Sequence, residues 1–240
     1  MRRSLSALLV VGLVAVAARD AAAQPSLKDV AAYAALSSTP VGALVPLAYA
    51  PMAKGGNALV GRFSHYSPSG GGDGTNNLGA TWLRQANTSV GLSGTAGYIA
   101  PSCDACDGMF IAGVDGNFGL WNTVPAKGST TSTAVDLTGS FGYGKPQGGS
   151  AMSLAVGLPL SFYIDQANKS KIALSVVPGF GWGQLKDDAS GASESGTRPM
   201  IGAAGSWTMS SGWGISAGYQ KVVIENGGNV FGLGISYRPM

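Results

Sequence analysis

Charge is scarce in this chain. Lys and Arg number 15 and Asp and Glu 12 in 240 residues, so 11% of positions are charged, where a soluble domain carries roughly 25%. That shortage speaks against a conventional water-exposed enzyme surface. The positive excess is only three, and no Lys/Arg cluster forms a stripe to track phosphates, so no nucleic-acid partner is expected. Histidine occurs once and cysteine twice, which leaves little for metal or acid–base chemistry, and no cofactor is expected. Beyond residue 23 no run of 18 apolar residues occurs. The longest, Val41 to Ala50, contains Pro46, so a second membrane-spanning helix is excluded. Disorder is equally disfavoured, because 45% of the residues are apolar.

What the chain has in excess is glycine, 38 of 240 residues, without the three-residue period of collagen. The first segment reads as an export signal. Arg2 and Arg3 precede an apolar stretch from Leu8 to Ala18, and Ala21-Ala22-Ala23 offers a cleavage site before Gln24. Residues 1–23 are therefore expected to be removed, leaving a mature chain outside the cytoplasm.

From about residue 57 the hydropathy has period two. Phe231, Leu233, Ile235 and Tyr237 alternate with Gly232, Gly234, Ser236 and Arg238, and Trp213, Ile215, Ala217 and Tyr219 alternate with Gly214, Ser216, Gly218 and Gln220. The same pattern marks 198–209, 171–184, 150–164, 133–144, 109–121 and 88–100, with weaker candidates at 77–85 and 57–66. Side chains alternate across a strand, so each segment has a bulky apolar face and a small polar one. About ten strands are predicted (8–12 fit the pattern), several of them 11 residues or longer. Soluble strands peak near 5–6 residues, whereas a tilted spanning strand needs about 9–11. With the C-terminus taken as periplasmic, outward loops fall at 67–76, 101–108, 145–149, 185–197 and 224–229. The inward turns fall at 86–87, 122–132, 165–170 and 210–211.

The second face carries Gly, Ser, Thr and Ala with few charges. A soluble sandwich would place Lys and Glu there. In a closed transmembrane barrel the bulky face meets lipid and the small face lines a lumen, and closure follows because hydrocarbon leaves no partner for an open sheet edge. The predicted fold is thus all-β: an antiparallel up-and-down transmembrane barrel over 57–240, preceded by an arm or plug of undetermined structure at 24–56. An exported soluble sandwich or a lipid-carrying barrel remains the alternative.

The export signal, the Gly-rich alternating strands and the closing Phe231-Gly-Leu233-Gly-Ile235-Ser-Tyr237 pattern resemble the small bacterial outer-membrane β-barrel proteins, porin-like and OmpA-like barrels among them. The resemblance spans roughly 57–238, although this chain ends Arg238-Pro239-Met240 rather than in an aromatic residue. It implies an outer-membrane location, surrounding outer-membrane lipid and insertion by the barrel-assembly machinery.

Candidate chemistry is sparse. Cys103-Asp-Ala-Cys106 has no second ligand pair for zinc, although Asp104, Asp107 and His65 are conceivable assistants, and it has no thioredoxin-like context. The reading preferred is a disulfide between Cys103 and Cys106 in an oxidising compartment. His65 has no visible base partner. Asp187, Asp188 and Glu194 do not follow a calcium-loop spacing, and Gly70 to Gly74 lacks the Lys-Ser/Thr of a phosphate loop. The remaining candidates are polar side chains expected to face the lumen: Asp115, Asp136, Gln220 and Arg238, with Arg84 and Arg62 added although the register of the first two strands is ambiguous. About ten strands leave a small, largely filled lumen. The function expected is non-enzymatic: a structural role or a narrow passage for small solutes. The alternative is a barrel whose external loops bind a surface partner.

Overall fold

A computed structural model describes residues 52–67, 74–101, 108–123, 130–146, 148–223 and 228–239. The signal segment, nearly all of the 24–56 arm and Cys103–Cys106 lie outside the described residues. Eleven strand segments follow in chain order: β1 Asn57–Ser67, β2 Thr75–Gln85, β3 Val90–Pro101, β4 Met109–Asn122, β5 Thr131–Lys145, β6 Gly149–Gly157, β7 Leu160–Asp165, β8 Lys171–Asp187, β9 Ser193–Thr208, β10 Trp213–Val222 and β11 Asn229–Tyr237.

Apart from β6 and β7, each segment pairs antiparallel with its sequence neighbours, and β1 pairs with β11, so the sheet closes. β6 and β7 together occupy one place in the wall. Both pair with β5 and with β8, and the registers match: Thr138↔Gly157 continues as Val135↔Leu160, and Gly157↔Gly179 as Leu160↔Val176. Pro159 has no N–H and interrupts the ladder. The flanking backbone holds it in place: Asp136 N–H donates to Pro159 O (3.0 Å) and Leu158 N–H to Pro178 O (2.9 Å). The wall is therefore a ten-position barrel.

The stagger of the closure can be traced through the register. From Val60 one route runs Thr81, Thr95, Gly113, Gly142, Ser153, Gly183, Gly196. The other runs Ser236, Gly214, Thr208. The two routes meet β9 at residues 196 and 208, twelve residues apart. A shear of that size goes with strand tilts of roughly 35–45°. Each step from strand to strand along the hydrogen bonds thus climbs about 1.2 residues along the barrel axis.

The alternation assigns the faces. Outward side chains are bulky, apolar and exposed: Leu78 is 68% exposed, Phe110 78% and Ile235 60%. Inward ones are small and buried, as with Thr81, Ser153, Ser175 and Ser236. Aromatics sit toward both edges of the apolar belt. Tyr98 packs edge-on against Phe110 (5.1 Å) near one edge, and Trp213 against Tyr237 (5.0 Å) near the other. On β8, ten residues separate Trp182 from Ile172, the partner of Trp207. At about 3.3 Å per residue and ~40° of tilt this spans ~25 Å, the height of an outer-membrane apolar band. Hydrocarbon satisfies such a surface and water does not.

The two ends differ. At the end carrying the first and last strand termini the turns include the tight Ser210–Gly212 connection. At the other, the loop end, the β8–β9 hairpin stands above the rest. The sequence suggests a long polar loop at 185–197. Instead β8 continues to Asp187 and β9 starts at Ser193, because a strand outside the bilayer needs no apolar face. Asp187 anchors the turn by accepting from Ala189 N–H (2.8 Å) and Ser190 Oγ (2.9 Å). These bonds to the charged form hold its carboxyl below the usual range.

Closure has a simple test. Unboiled protein in SDS is expected to run ahead of the boiled sample on a gel, because a sheet with no free edge resists the detergent. Coincident bands would contradict the ring of pairings.

Candidate functional site

The lumen divides into two halves of different character. Tyr66, Ile99, Ile111, Met200, Val222 and Val230 all point inward on the loop-end half of their strands, and each is at most 5% exposed. Gln220, also buried, donates Nε2–H to Met200 Sδ (2.8 Å). Ala155, Val177, Met200 and Val222 form one packed cluster, and Tyr66 with Val230 another. Among the described residues this half of the barrel is filled.

The termini-end half holds a cavity of about 440 Å³. Hydroxyl and amide side chains make up about half of its wall, among them Thr81, Ser93, Asn117, Thr138, Ser161 and Ser175. Small hydroxyls satisfy one another across strand pairs: Thr81 Oγ1 lies 2.8 Å from Thr95 Oγ1, and Ser161 Oγ 2.8 Å from Ser175 Oγ. Four charged groups line it: Arg62, Asp115 and Asp136 from the inward faces and Arg84 at the mouth.

Arg62 and Asp115 come to nearly the same height although three strands apart, because the stagger offsets each step. Arg62 Nη1 donates to Thr81 Oγ1 (3.4 Å), and its charge acts on Asp115 across the lumen. Asp115 Oδ2 accepts from Ser93 Oγ at 2.5 Å, while its Oδ1 is buried with no hydrogen-bond partner. Asp136 stands nearer the mouth. It accepts a side-chain hydrogen bond from Asn117, and its charge acts on the nearby Tyr163 phenol. Gly119 is its partner on β4, just before a bulge that brings Leu120 and Trp121 past the register.

The other sequence candidates are placed as follows. Gln220 belongs to the filled half. Arg238 has the inward phase at the end of β11, away from the cavity wall. Arg84 is a correction: it is exposed and shares the outer phase of Leu78 and Trp82, so it stands at the cavity's mouth rather than in the lumen. The adjacent pair Trp82-Leu83 fits either phase by hydropathy, and only the pairing of Thr81 with Val60 and Thr95 decides it. His65 faces outward near the loop end, with Nδ1 2.9 Å from Asn76 Oδ1. Asp187 is in the exposed hairpin, far from the cavity. The sequence reading did not single out Ser93, Asn117, Tyr163 or Gly119. Their signal is placement at the same end of inward faces, which becomes visible once the register is known.

No family model matches the chain, and no curated protein matches it. Among solved structures it is similar to the attachment invasion locus protein Ail of Yersinia pestis, at 17% identity over 78% of this chain and 100% of that one, with a TM-score of 0.35. It is also similar to the N-terminal β-barrel domain of Pseudomonas aeruginosa OprF (10%, 78% and 100%, TM-score 0.36) and to the outer membrane enzyme PagL (11%, 76% and 99%, TM-score 0.36). All of these are outer-membrane barrels. The shared feature is architecture, and at these scores their individual roles say nothing about this chain.

Proposed function

We propose that the chain is an exported outer-membrane barrel with a structural, non-enzymatic role, and that its lumen is a blind pocket open toward the periplasm rather than a through-passage. The observation that carries this reading is the burial of the inward side chains on the loop-end half. A conducting lumen leaves its lining accessible to water, whereas Tyr66, Ile99, Ile111 and Met200 are packed. The tight β2–β3 and β9–β10 turns at the termini end favour a periplasmic orientation for the cavity, the longer β4–β5 connection being the exception. Insertion by the barrel-assembly machinery belongs to the same reading. The non-enzymatic part is supported by the position of His65, which is turned away from the cavity and engaged by Asn76.

The test is electrical. In planar bilayers the protein is expected to produce no stepwise current. Truncating the packed layer, as in a Tyr66→Ala/Met200→Gly double variant, is expected to open measurable steps. Discrete conductance from the unaltered chain would overturn the blind-pocket reading.

A second reading rests on the β8–β9 hairpin, whose ordered tip offers a rigid polar surface outside the membrane. Exchange of Ala189–Ala192 for a short turn tests it: unchanged attachment of cells to surfaces would remove an adhesive role.

A further inference from the structure

The inward charges of the cavity do not balance: two carboxylates, Asp115 and Asp136, face one guanidinium. Its one inward guanidinium, Arg62, acts on Asp115, and Ser93 supplies that carboxylate with a hydroxyl donor. Asp136 is served by neutral Asn117 and lies near Tyr163. It is therefore the carboxylate of the cavity with no inward cation assigned to it.

The wall beside Asp136 is cut back. A Cβ on Gly119 would come 3.5 Å from Asp136 Oδ1 and 3.5 Å from Ser89 Cα, so any larger side chain there would stand over the carboxylate. Glycine leaves it open toward the mouth. The two carboxylates are too far apart to share a metal ion. Asp115 pairs with Ser140 and Asp136 with Gly119, so four residues of strand, about 13 Å, separate them, against ligand distances of roughly 2.0–2.6 Å for a hard cation. An anion deep in the lumen would meet one guanidinium already engaged and two carboxylates, the second guanidinium, Arg84, standing on the outer phase at the mouth. An apolar guest would strip water from the Asp136 carboxylate without replacing its hydrogen bonds, at a cost.

We infer that the cavity is a binding site for a small organic cation bearing a primary ammonium group. The ammonium sits on Asp136, with the Asn117 side-chain carbonyl and the Tyr163 ring beside it, and a short polar chain extends among Thr138, Ser161 and Ser175. Charge-assisted hydrogen bonding to a carboxylate in a partly dry cavity supplies the selectivity. The inference goes beyond the structural role and stands whichever way the conductance measurement falls.

Titration calorimetry on the refolded barrel, with 1,4-diaminobutane as the probe, tests it. The diamine is expected to bind with one-to-one stoichiometry, while 1,4-butanediol and succinate give no heat. Asp136→Asn is expected to weaken the diamine about tenfold or more, and Gly119→Val to do the same with the carboxylate intact. Asp165→Asn, which removes an exposed carboxylate at the same end paired to Lys171 at 3.1 Å, is expected to leave binding unchanged. The gel shift confirms that each variant is folded. No binding of the diamine at millimolar concentration, or equal losses in the Asp136 and Asp165 variants, would overturn the site.

Discussion

Replacing Leu233 with Arg is expected to cost about 2–4 kcal/mol, the penalty for a cation near the bilayer midplane on the lipid face of a barrel. Leu233 lies in the middle of β11, paired to Phe63 and Ala217, and is 47% exposed. In a water-soluble barrel the same change at an exposed site would fall within about 0.5 kcal/mol. The sign of the experiment therefore separates lipid from water as the surrounding medium. Urea unfolding of the protein refolded into phospholipid vesicles measures it. A loss below half a kilocalorie would remove the membrane reading, along with the functional proposals built on it.

The second large effect is expected at Gly212. This residue turns the chain from β9 into β10 with φ +88°, and a Cβ there would collide with the carbonyl oxygen of Arg238. The turn also ties the last strand into the barrel: Gly212 N–H donates to Met209 O (3.1 Å), and Arg238 N–H donates to Gly212 O (2.9 Å). Gly212→Val combines a left-handed backbone with a clash against backbone, and about 3 kcal/mol or more is expected. Gly191 is the control. Its φ is +67°, but nothing lies within 4 Å of its Cβ position, so Gly191→Ala is expected to cost only about 1 kcal/mol. Refolding yield and urea midpoints report both. Equal costs would show that the clash with Arg238 is not felt.

Part of the lumen's content was also visible in the chain, although its meaning was not. Tyr66, Ile99, Ile111, Met200, Val222 and Val230 are large apolar residues in the inward phase of strands whose other inward positions are mostly Gly, Ser and Thr. All but Met200, which lies mid-strand in β9, break the pattern near a strand end, where it reads as fraying. Strand pairing brings the six to similar heights, and there they close one half of the barrel. The expectation of a narrow passage follows from averaging each inward face over its length. The cavity arises because the same faces stay small at the other end.

The sequence by itself determined the strand-forming segments, the outward apolar phase and the all-β class, because period two in hydropathy is a local property of each strand. It left open the phase of β2, the continuation of β8 and β9 into a tall hairpin, and the union of β6 and β7 across Pro159. Only the tertiary structure decided these, together with the height at which Arg62 faces Asp115 and Asp136 stands open beside Gly119. Register and stagger are relations between strands, fixed when ten of them close a ring, and no single segment encodes them.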